Sequence, residues 1–350
     1  MRLKQNQFGT GREKGELALL FEIRHRAARV TGRGGVGRLR LGIGDDCALL
    51  AQRAGEELAV TTDLSIAGRH YRLDWHQPEA VGHRALARGL SDLAAMGARP
   101  VAAFLSLGVP RELTASSRGK GGRKSWVQRF LDGLLALAEA HKTPLAGGDL
   151  AESPVAVADI VLVGAVARGR ALLRSGANPG DLIYVTGALG GAAAGLVRLA
   201  ELAATGSPAP PRIPKILEVL LAPHLFPQPR IAQGLWLQRR GLACSAIDLS
   251  DGLSTDLAHI CEESGVAAEV DAALLPLAAG ANLAQALHGG EDYELLFTAP
   301  AGARPPQVIS GVPLTRIGRI AKLRRGQPAV TLVTPEGKQA LEPQGWEHFL

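Results

Sequence analysis

The sequence predicts a mixed α/β (α+β) protein built as two halves of similar size. Short apolar runs of β type alternate along the chain with segments whose apolar residues recur at helical spacing. The alternation stops at a basic, Gly- and Pro-bearing stretch, RGRALLRSGANPGD (Arg168 to Asp181), and restarts after it. At 350 residues, with 46% hydrophobic and 21% charged residues, the chain is long enough for two cores of ordinary size.

Within the first half, residues 15–30 place Leu17, Leu20 and Phe21 at helical spacing, and LAVTTD (Leu58 to Asp63) is a β-type run ending in a carboxylate. Pro78 then opens a helix through EAVGHRALARGLSDLAAM, since a first turn has no amide bond for proline to break. VAAFLSLGV reads as a buried strand and WVQRFLDGLLALAEAH as a helix. TPLAGGDL reads as a segment ending in a Gly-rich turn, and VAVADIVLVGAVA as another strand. In the second half, strand LIYVTG and helix GGAAAGLVRLAELAA lead to the Pro-rich break TGSPAPPRIP. A helical region, strand CSAIDL, helix STDLAHICEES, strand AAEV and, after a Gly-Gly turn, strand YELLFTA follow. No short-period repeat is present, which excludes a solenoid or propeller.

The formal net charge is +6. Much of it lies in MRLKQNQFGTGREKG and SSRGKGGRKS (Ser116 to Ser125), which read as solvated tail and loop. With aromatics at 4% and no helix-turn-helix or zinc signature, no nucleic-acid partner is expected. Cys47, Cys244 and Cys261 show neither metal nor disulfide spacing, which fits a reducing cytoplasm. The basic N-terminus lacks an apolar signal core, and the longest apolar stretch carries Asp159 and is too short to span a bilayer. Two glycine motifs are decoys. GRGGVG (Gly32 to Gly37) lacks the preceding strand and following helix of a dinucleotide fingerprint, and in GKGGRKS an arginine stands where a P-loop needs glycine. DLSDG does not fill the EF-hand ligand positions, and no H-E-x-x-H is present.

The pattern that carries chemistry is a set of aspartates in Gly-rich or apolar stretches: Asp45, Asp46, Asp63, Asp92, Asp149, Asp248, Asp251 and Asp292. The stretch AIDLSDGLSTDL, which also holds Asp256, shows the format of a rigid element ending in Gly or Ser beside an acid. Such an element delivers a side chain to a shared place while glycine lets the backbone come close. Singly, each acid could be a cap or a turn former; Asp63 could end a strand and Asp149 could be a turn residue. Assembled, they would repel and raise each other's pKa values unless a cation neutralised them. Mg²⁺ does this with one or two carboxylates plus substrate phosphates. The expectation is a multi-metal, phosphate-handling site without a P-loop.

Nine motifs occur in an order that resembles the thiamine-monophosphate kinases of the aminoimidazole-ribonucleotide-synthetase-like superfamily. They are GIGDDCALL, TTDLSIAGRHY, LSDLAAMGARP, AGGD, LLRSGANPGD, YVTGALGGAAAGL, HLFPQPRI, IDLSDGLSTDL and GGEDYELLF. The resemblance runs from about Leu39 to GWEHF and implies a two-domain fold. Residues 1–36 would be an N-terminal extension and helix, 37–168 an ATP- and Mg-binding domain forming a β-barrel across a homodimer, and 169–350 a C-terminal α/β domain. It implies Mg²⁺-dependent transfer of the ATP γ-phosphoryl group to thiamine monophosphate. It implies metal ligation by Asp46, Thr61, Thr62, Asp63, Asp92, Asp149, Asp248 and Asp251, and nucleotide contacts from Gly148, Arg174 and Ser250. His70, Glu291 and Trp346 are implied as walls of the thiamine-phosphate pocket, with Asp251 and Arg174 closest to the chemistry. Leu150 follows GGD where threonine is common, and the loop Thr114 to Lys124 is longer than usual. A phosphate monoester is already anionic near neutral pH, so it attacks without a strong base. The reaction needs the repulsion between two phosphates cancelled, which Mg²⁺ and an arginine can do.

Overall fold

The computed structural model describes residues 22–27, 38–43, 47–116, 123–204 and 209–345. Leu17, Leu20, Phe21, the basic N-terminus, Asp45, Asp46 and Trp346 lie outside the described residues; residues 22–27 are helical.

In the first half, β1 (Leu39–Leu41) and β2 (Leu49–Leu50) form a small antiparallel ribbon. The elements β3 (Glu56–Ile66), α1 (Pro78–Ala95), β4 (Arg99–Val109), α2 (Trp126–Ala140), β5 (Leu145–Glu152) and β6 (Val157–Ala167) follow. The strands assemble in the order β3-β6-β4-β5, with β4 and β5 parallel and the other pairs antiparallel. Proline at the first position starts α1, and a reciprocal Ser125–Gln128 capping box starts α2. Leu86, Leu90 and Leu93 of α1 and Phe130 and Leu134 of α2 are buried in one cluster with Leu105, Ile160 and Leu162 of the sheet. The two helices nearly touch. A Cβ on Gly82 would lie 1.9 Å from the Phe130 carbonyl oxygen, and one on Gly133 would lie 1.9 Å from that of Glu79, so glycine on both helices sets their spacing.

In the second half, β7 (Leu182–Thr186), α3 (Gly191–Ala203), α4 (Glu218–Leu225), α5 (Ile231–Arg240), β8 (Ser245–Asp248), α6 (Leu253–Ser264), β9 (Ala267–Asp271), α7 (Leu283–His288) and β10 (Leu295–Ala299) come first. They are followed by β11 (Val308–Ile309), β12 (Val312–Ala321), β13 (Val330–Thr334) and β14 (Gly337–Ala340). The sheet order is β14-β13-β9-β12-β7-β10-β8, with β11 beside β12. A second core of Ile183, Val185, Leu257, Ile260, Val270, Leu296 and Ile317 fills this half.

Several elements differ from expectation. TPLAGGDL does not end in a turn: β5 continues through Asp149, pairing Ser106 with Asp149 and Val109 with Glu152. Gly148 makes this possible at φ 145°, where a Cβ would lie 1.8 Å from the Leu105 carbonyl oxygen. Strands β11 to β14 were not anticipated. A register shift between Arg316 and Gly318 breaks the alternation of β12, and with it the period-2 signal.

Helix α1 joins the halves, packing on α2 and β3 on one side and on α5 and β8 on the other. His83 Nε2 lies 2.7 Å from the Pro227 carbonyl oxygen, and His76 Nε2 lies 2.9 Å from His224 Nε2. Among the described residues no helix is long and apolar enough to cross a membrane.

Candidate active site

Strand periodicity sets the first part of the site. Along β3, Thr61, Asp63 and Ser65 alternate with the exposed Leu58, Val60, Thr62 and Leu64. The Thr61 and Asp63 side chains therefore turn towards α1, which presents Arg84, Arg88, Ser91 and Asp92 at i, i+4, i+7 and i+8, one helical face. The Thr61 hydroxyl donates to Asp92 Oδ2. Next to Asp92 on α1, the Ser91 hydroxyl donates to Asp248 Oδ2 at 2.6 Å, at the end of β8. One helix thus draws acids of both halves together.

The electrostatics record the crowding. Burial, then the neighbouring Asp92, push the Asp63 carboxyl up to about 7, with Arg88 opposing. Burial and Asp92 likewise push Asp248 up to about 7. Asp92 is raised by burial, against the Thr61 hydroxyl and the Arg174 and Arg88 guanidiniums. Arg174 is exposed and close enough to act on Asp92. Asp63 Oδ2 is buried with no hydrogen-bond partner, a cost of a few kcal/mol for an acceptor left dry.

After β8 the chain turns through Ser250, Asp251 and Gly252 into α6. Asp256, one turn into that helix, is buried and accepts the amides of Asp251 (3.1 Å) and Gly252 (3.0 Å). Burial, then Asp248 and Asp251, push its carboxyl up to about 8. The Glu291 amide donates to the Ser250 carbonyl oxygen at 2.8 Å, placing the two motifs side by side. The Glu291 backbone is left-handed, φ 66°. Its carboxylate pairs with Arg84 at 2.5 Å. Burial alone would raise this carboxyl, but Arg84 and Arg88 outweigh it and hold it below the usual range. His70 Nδ1 accepts the Ile66 amide at 3.0 Å, which leaves the proton on Nε2. His70, Glu291, Arg84, Arg88, Ser65, Tyr71 and Val81 line one small cleft that opens to solvent.

The structure thus brings together Thr61, Asp63, Asp92 and Asp248, sets Arg174 beside Asp92, places Ser250 and Asp251 on the adjoining turn, and joins His70 to Glu291. Two expected ligands are not brought to this cluster. The Thr62 side chain points to the opposite sheet face, as alternation requires. Asp149 is exposed on β5, three strands from β3, on a rung with Ser106 and Asp159; its Oδ1 accepts the Leu150 amide at 2.9 Å. Gly148 is required by its close approach to Leu105, apart from any nucleotide. Asp292 is a cap: its carboxylate accepts the Gly190 and Ala192 amides at 2.6 and 3.0 Å, where α3 begins. Arg84, Arg88, Ser91 and Asp256 adjoin the cleft and cluster but were not among the expected site residues. Their signal was the spacing back from Asp92 along α1 and, for Asp256, its place beside SDG.

All the donors at the cluster are oxygens, which suits Mg²⁺. Among the described residues no three such side chains surround one point. That arrangement accords with an ion held by one or two carboxylates plus substrate phosphates, and the orphaned Asp63 oxygen is a ready ligand.

Comparison with known proteins bears on both halves. The model of the AIR synthase related protein N-terminal domain matches residues 44–171, and that of the C-terminal domain matches residues 178–322. Thiamine-monophosphate kinase of Escherichia coli is 39% identical over 330 residues, 89% of this chain and 92% of its own. The crystal structure of thiamine-monophosphate kinase from Stenotrophomonas maltophilia superposes with a TM-score of 0.73 at 38% identity, covering 90% of this chain and 95% of that one. AaThiL complexed with AMPPCP and TMP superposes with a TM-score of 0.70 at 31% identity, covering 98% of this chain and 100% of that one. With both halves matched and the likeness spanning most of its length, the chain belongs to the thiamine-monophosphate kinase family of AIR synthase related proteins.

Proposed function

We propose that this chain transfers the γ-phosphoryl group of ATP to thiamine monophosphate by direct in-line displacement, giving thiamine diphosphate and ADP, with several Mg²⁺ ions. One observation carries the reading: Asp63, Asp92 and Asp248, from two sheets and one helix, lie near enough for Asp92 to add to burial in pushing the Asp63 and Asp248 carboxyls up, although among the described residues no three of them surround one point. A cluster of that kind suits a divalent cation that arrives with polyphosphate. The relatives named for this activity, and the one complexed with AMPPCP and TMP, support the substrates.

Thr61, Asp63, Asp92 and Asp248 would hold the metal, with Asp251 from the adjoining turn and Asp46, which lies outside the described residues. Bound Mg²⁺ would neutralise the phosphates that must approach one another. Arg174, exposed beside Asp92, clamps the ATP phosphates, and Ser250 contacts the nucleotide from the start of α6. His70 and Glu291 wall the acceptor cleft; Trp346, also outside the described residues, is expected to close it. In-line transfer forms a bond from an acceptor phosphate oxygen to Pγ and breaks the bond from Pγ to the bridging oxygen, the electron pair leaving with ADP.

The homodimer belongs to the same proposal. Leu58, Val60 and Leu64 are 44%, 62% and 46% exposed on the open face of the first sheet, an apolar row that a second copy would cover. A cytoplasmic location accords with three free cysteines. A coupled ADP-release assay across thiamine, thiamine monophosphate and other phosphorylated acceptors, with and without Mg²⁺, tests the function. ADP release that requires both thiamine monophosphate and Mg²⁺ is expected; release independent of the acceptor would overturn it.

A further inference from the structure

Arg84 and Arg88 lie one turn apart on α1 and line the same cleft as His70 and Glu291. Their partners differ. Arg84 is buried, paired with Glu291, and its Nη1 lies 3.2 Å from His224 Nε2. Arg88 Nη1 donates to the Leu64 carbonyl and the Ser65 hydroxyl, each at 3.2 Å, and both acceptors are neutral. The Asp63 carboxylate stands off at 3.9 Å from its Nε. The Arg88 side chain is only 19% exposed. The cleft therefore holds one carboxylate, Glu291, against two guanidiniums. Asp63 pairs with Arg88 at ion-pair range but beyond hydrogen-bond reach, and Tyr293 and Glu291 also favour its charge, so the charge is countered while its Nη1 donates to neutral oxygens. A planar fork of donors suits the oxygens of a phosphate group.

Position narrows the choice of anion. Arg88 acts both on Glu291, in the acceptor cleft, and on Asp63 and Asp92, in the carboxylate cluster. It lies between the two. We propose that Arg88 grips the phosphate monoester of the acceptor, seating it between cleft and cluster, and so makes the enzyme choose the phosphorylated acceptor over the free alcohol. This inference rests on the kinase reading above. The dianionic acceptor has no proton to lose on attack, so the arginine screens charge and orients an oxygen rather than moving a proton.

The test compares wild type with Arg88→Gln and Arg88→Met, the latter keeping the apolar stem, by calorimetric binding of thiamine monophosphate and of thiamine in the same Mg²⁺ buffer. Loss of hydrogen bonds to a charged group predicts about tenfold to a hundredfold weaker binding of thiamine monophosphate. Thiamine affinity and the KM for ATP stay within about twofold. Either variant, once circular dichroism shows it folded, decides the matter. An unchanged preference for thiamine monophosphate over thiamine overturns the inference, as does equal weakening of both, which marks a packing role. A rise confined to the KM for ATP overturns it too, since the gripped phosphate is then the donor's. Wild-type protein that shows the Arg88-dependent preference but no acceptor-dependent ADP release keeps the phosphate seat and overturns the kinase reading alone.

Discussion

Glu269 and the Asp63–Asp92–Asp248 cluster are two groups of carboxylates treated in opposite ways. On β9, Glu269 Oε2 accepts Arg319 Nε at 2.9 Å and Nη2 at 2.7 Å, and Lys338 Nζ donates to Oε1 at 2.5 Å. Those two cations, Lys338 first, hold its carboxyl below the usual range. Glu294 is matched in the same way by Arg230 and the Thr186 hydroxyl, and Glu79 by Arg129. The chain has cations in excess and sets them against carboxylates that hold structure together. The cluster, by contrast, carries three aspartates with raised pKa values and an orphaned oxygen. Asp292 shows why a raised pKa alone marks nothing: burial pushes it up to about 7, yet two amides satisfy it as a helix cap. What distinguishes the cluster is crowding of acid against acid without enough donors to satisfy it.

The sharpest way to break that contrast is to remove one charge from each group. Asp92→Asn is expected to cut turnover on the order of 10²–10³-fold, the usual loss when a preorganised electrostatic group is removed. The Tm at pH 8 without divalent ions should hold or rise, because repulsion on Asp63 and Asp248 is relieved. Glu269→Gln, tested beside it, should leave turnover unchanged and lower stability by no more than about 1 kcal/mol, the range for solvent-screened ion pairs. Comparable loss of turnover in the two variants would erase the distinction. A smaller effect separates adjacent residues of β3: Thr61→Val should lower activity by about tenfold, the value of a lost hydrogen bond to a charged group. Thr62→Val, on the other face, should change it by about twofold or less. Steady-state rates of the two variants decide whether strand alternation picks the working threonine.

The contrast also shows where the sequence is legible. Helix α1 was readable because proline marks its start and its apolar residues keep helical spacing, and α2 because its apolar residues recur at that spacing. Asp63, Asp92 and Asp248 were readable as a set because each ends or punctuates an apolar stretch. Thr62 and Asp149 stand apart from the cluster for physical reasons. Neighbours in a strand face opposite ways, and only the sheet order puts β5 at the far edge from β3. Arg84 and Arg88 were invisible because arginines on a helix ordinarily read as a solvated face. They are enclosed only once β3 and the turn bearing Glu291 dock on α1, contacts 24 and 207 residues away in the chain. Of the unanticipated strands, β12 escaped because a register shift breaks its alternation, and β11 because it is two residues long.

The central claim, that the aspartate cluster is built to receive a divalent cation, is tested most directly by Tm against pH, with and without Mg²⁺. Asp63 and Asp248 titrate at about 7 and Asp256 at about 8 in the folded chain, against an unfolded value near 3.9. The folded state therefore binds these protons more tightly. Their contribution is fully present below about pH 4 and is lost as pH rises through about 7 to 8. The account predicts that Tm falls from pH 5 to pH 8 in chelator, that Mg²⁺ restores much of it at pH 8 but little at pH 5, and that Asp92→Asn blunts the restoration. Asp292 adds to the fall but not to the rescue. Superimposable curves with and without Mg²⁺ at pH 8 would contradict it.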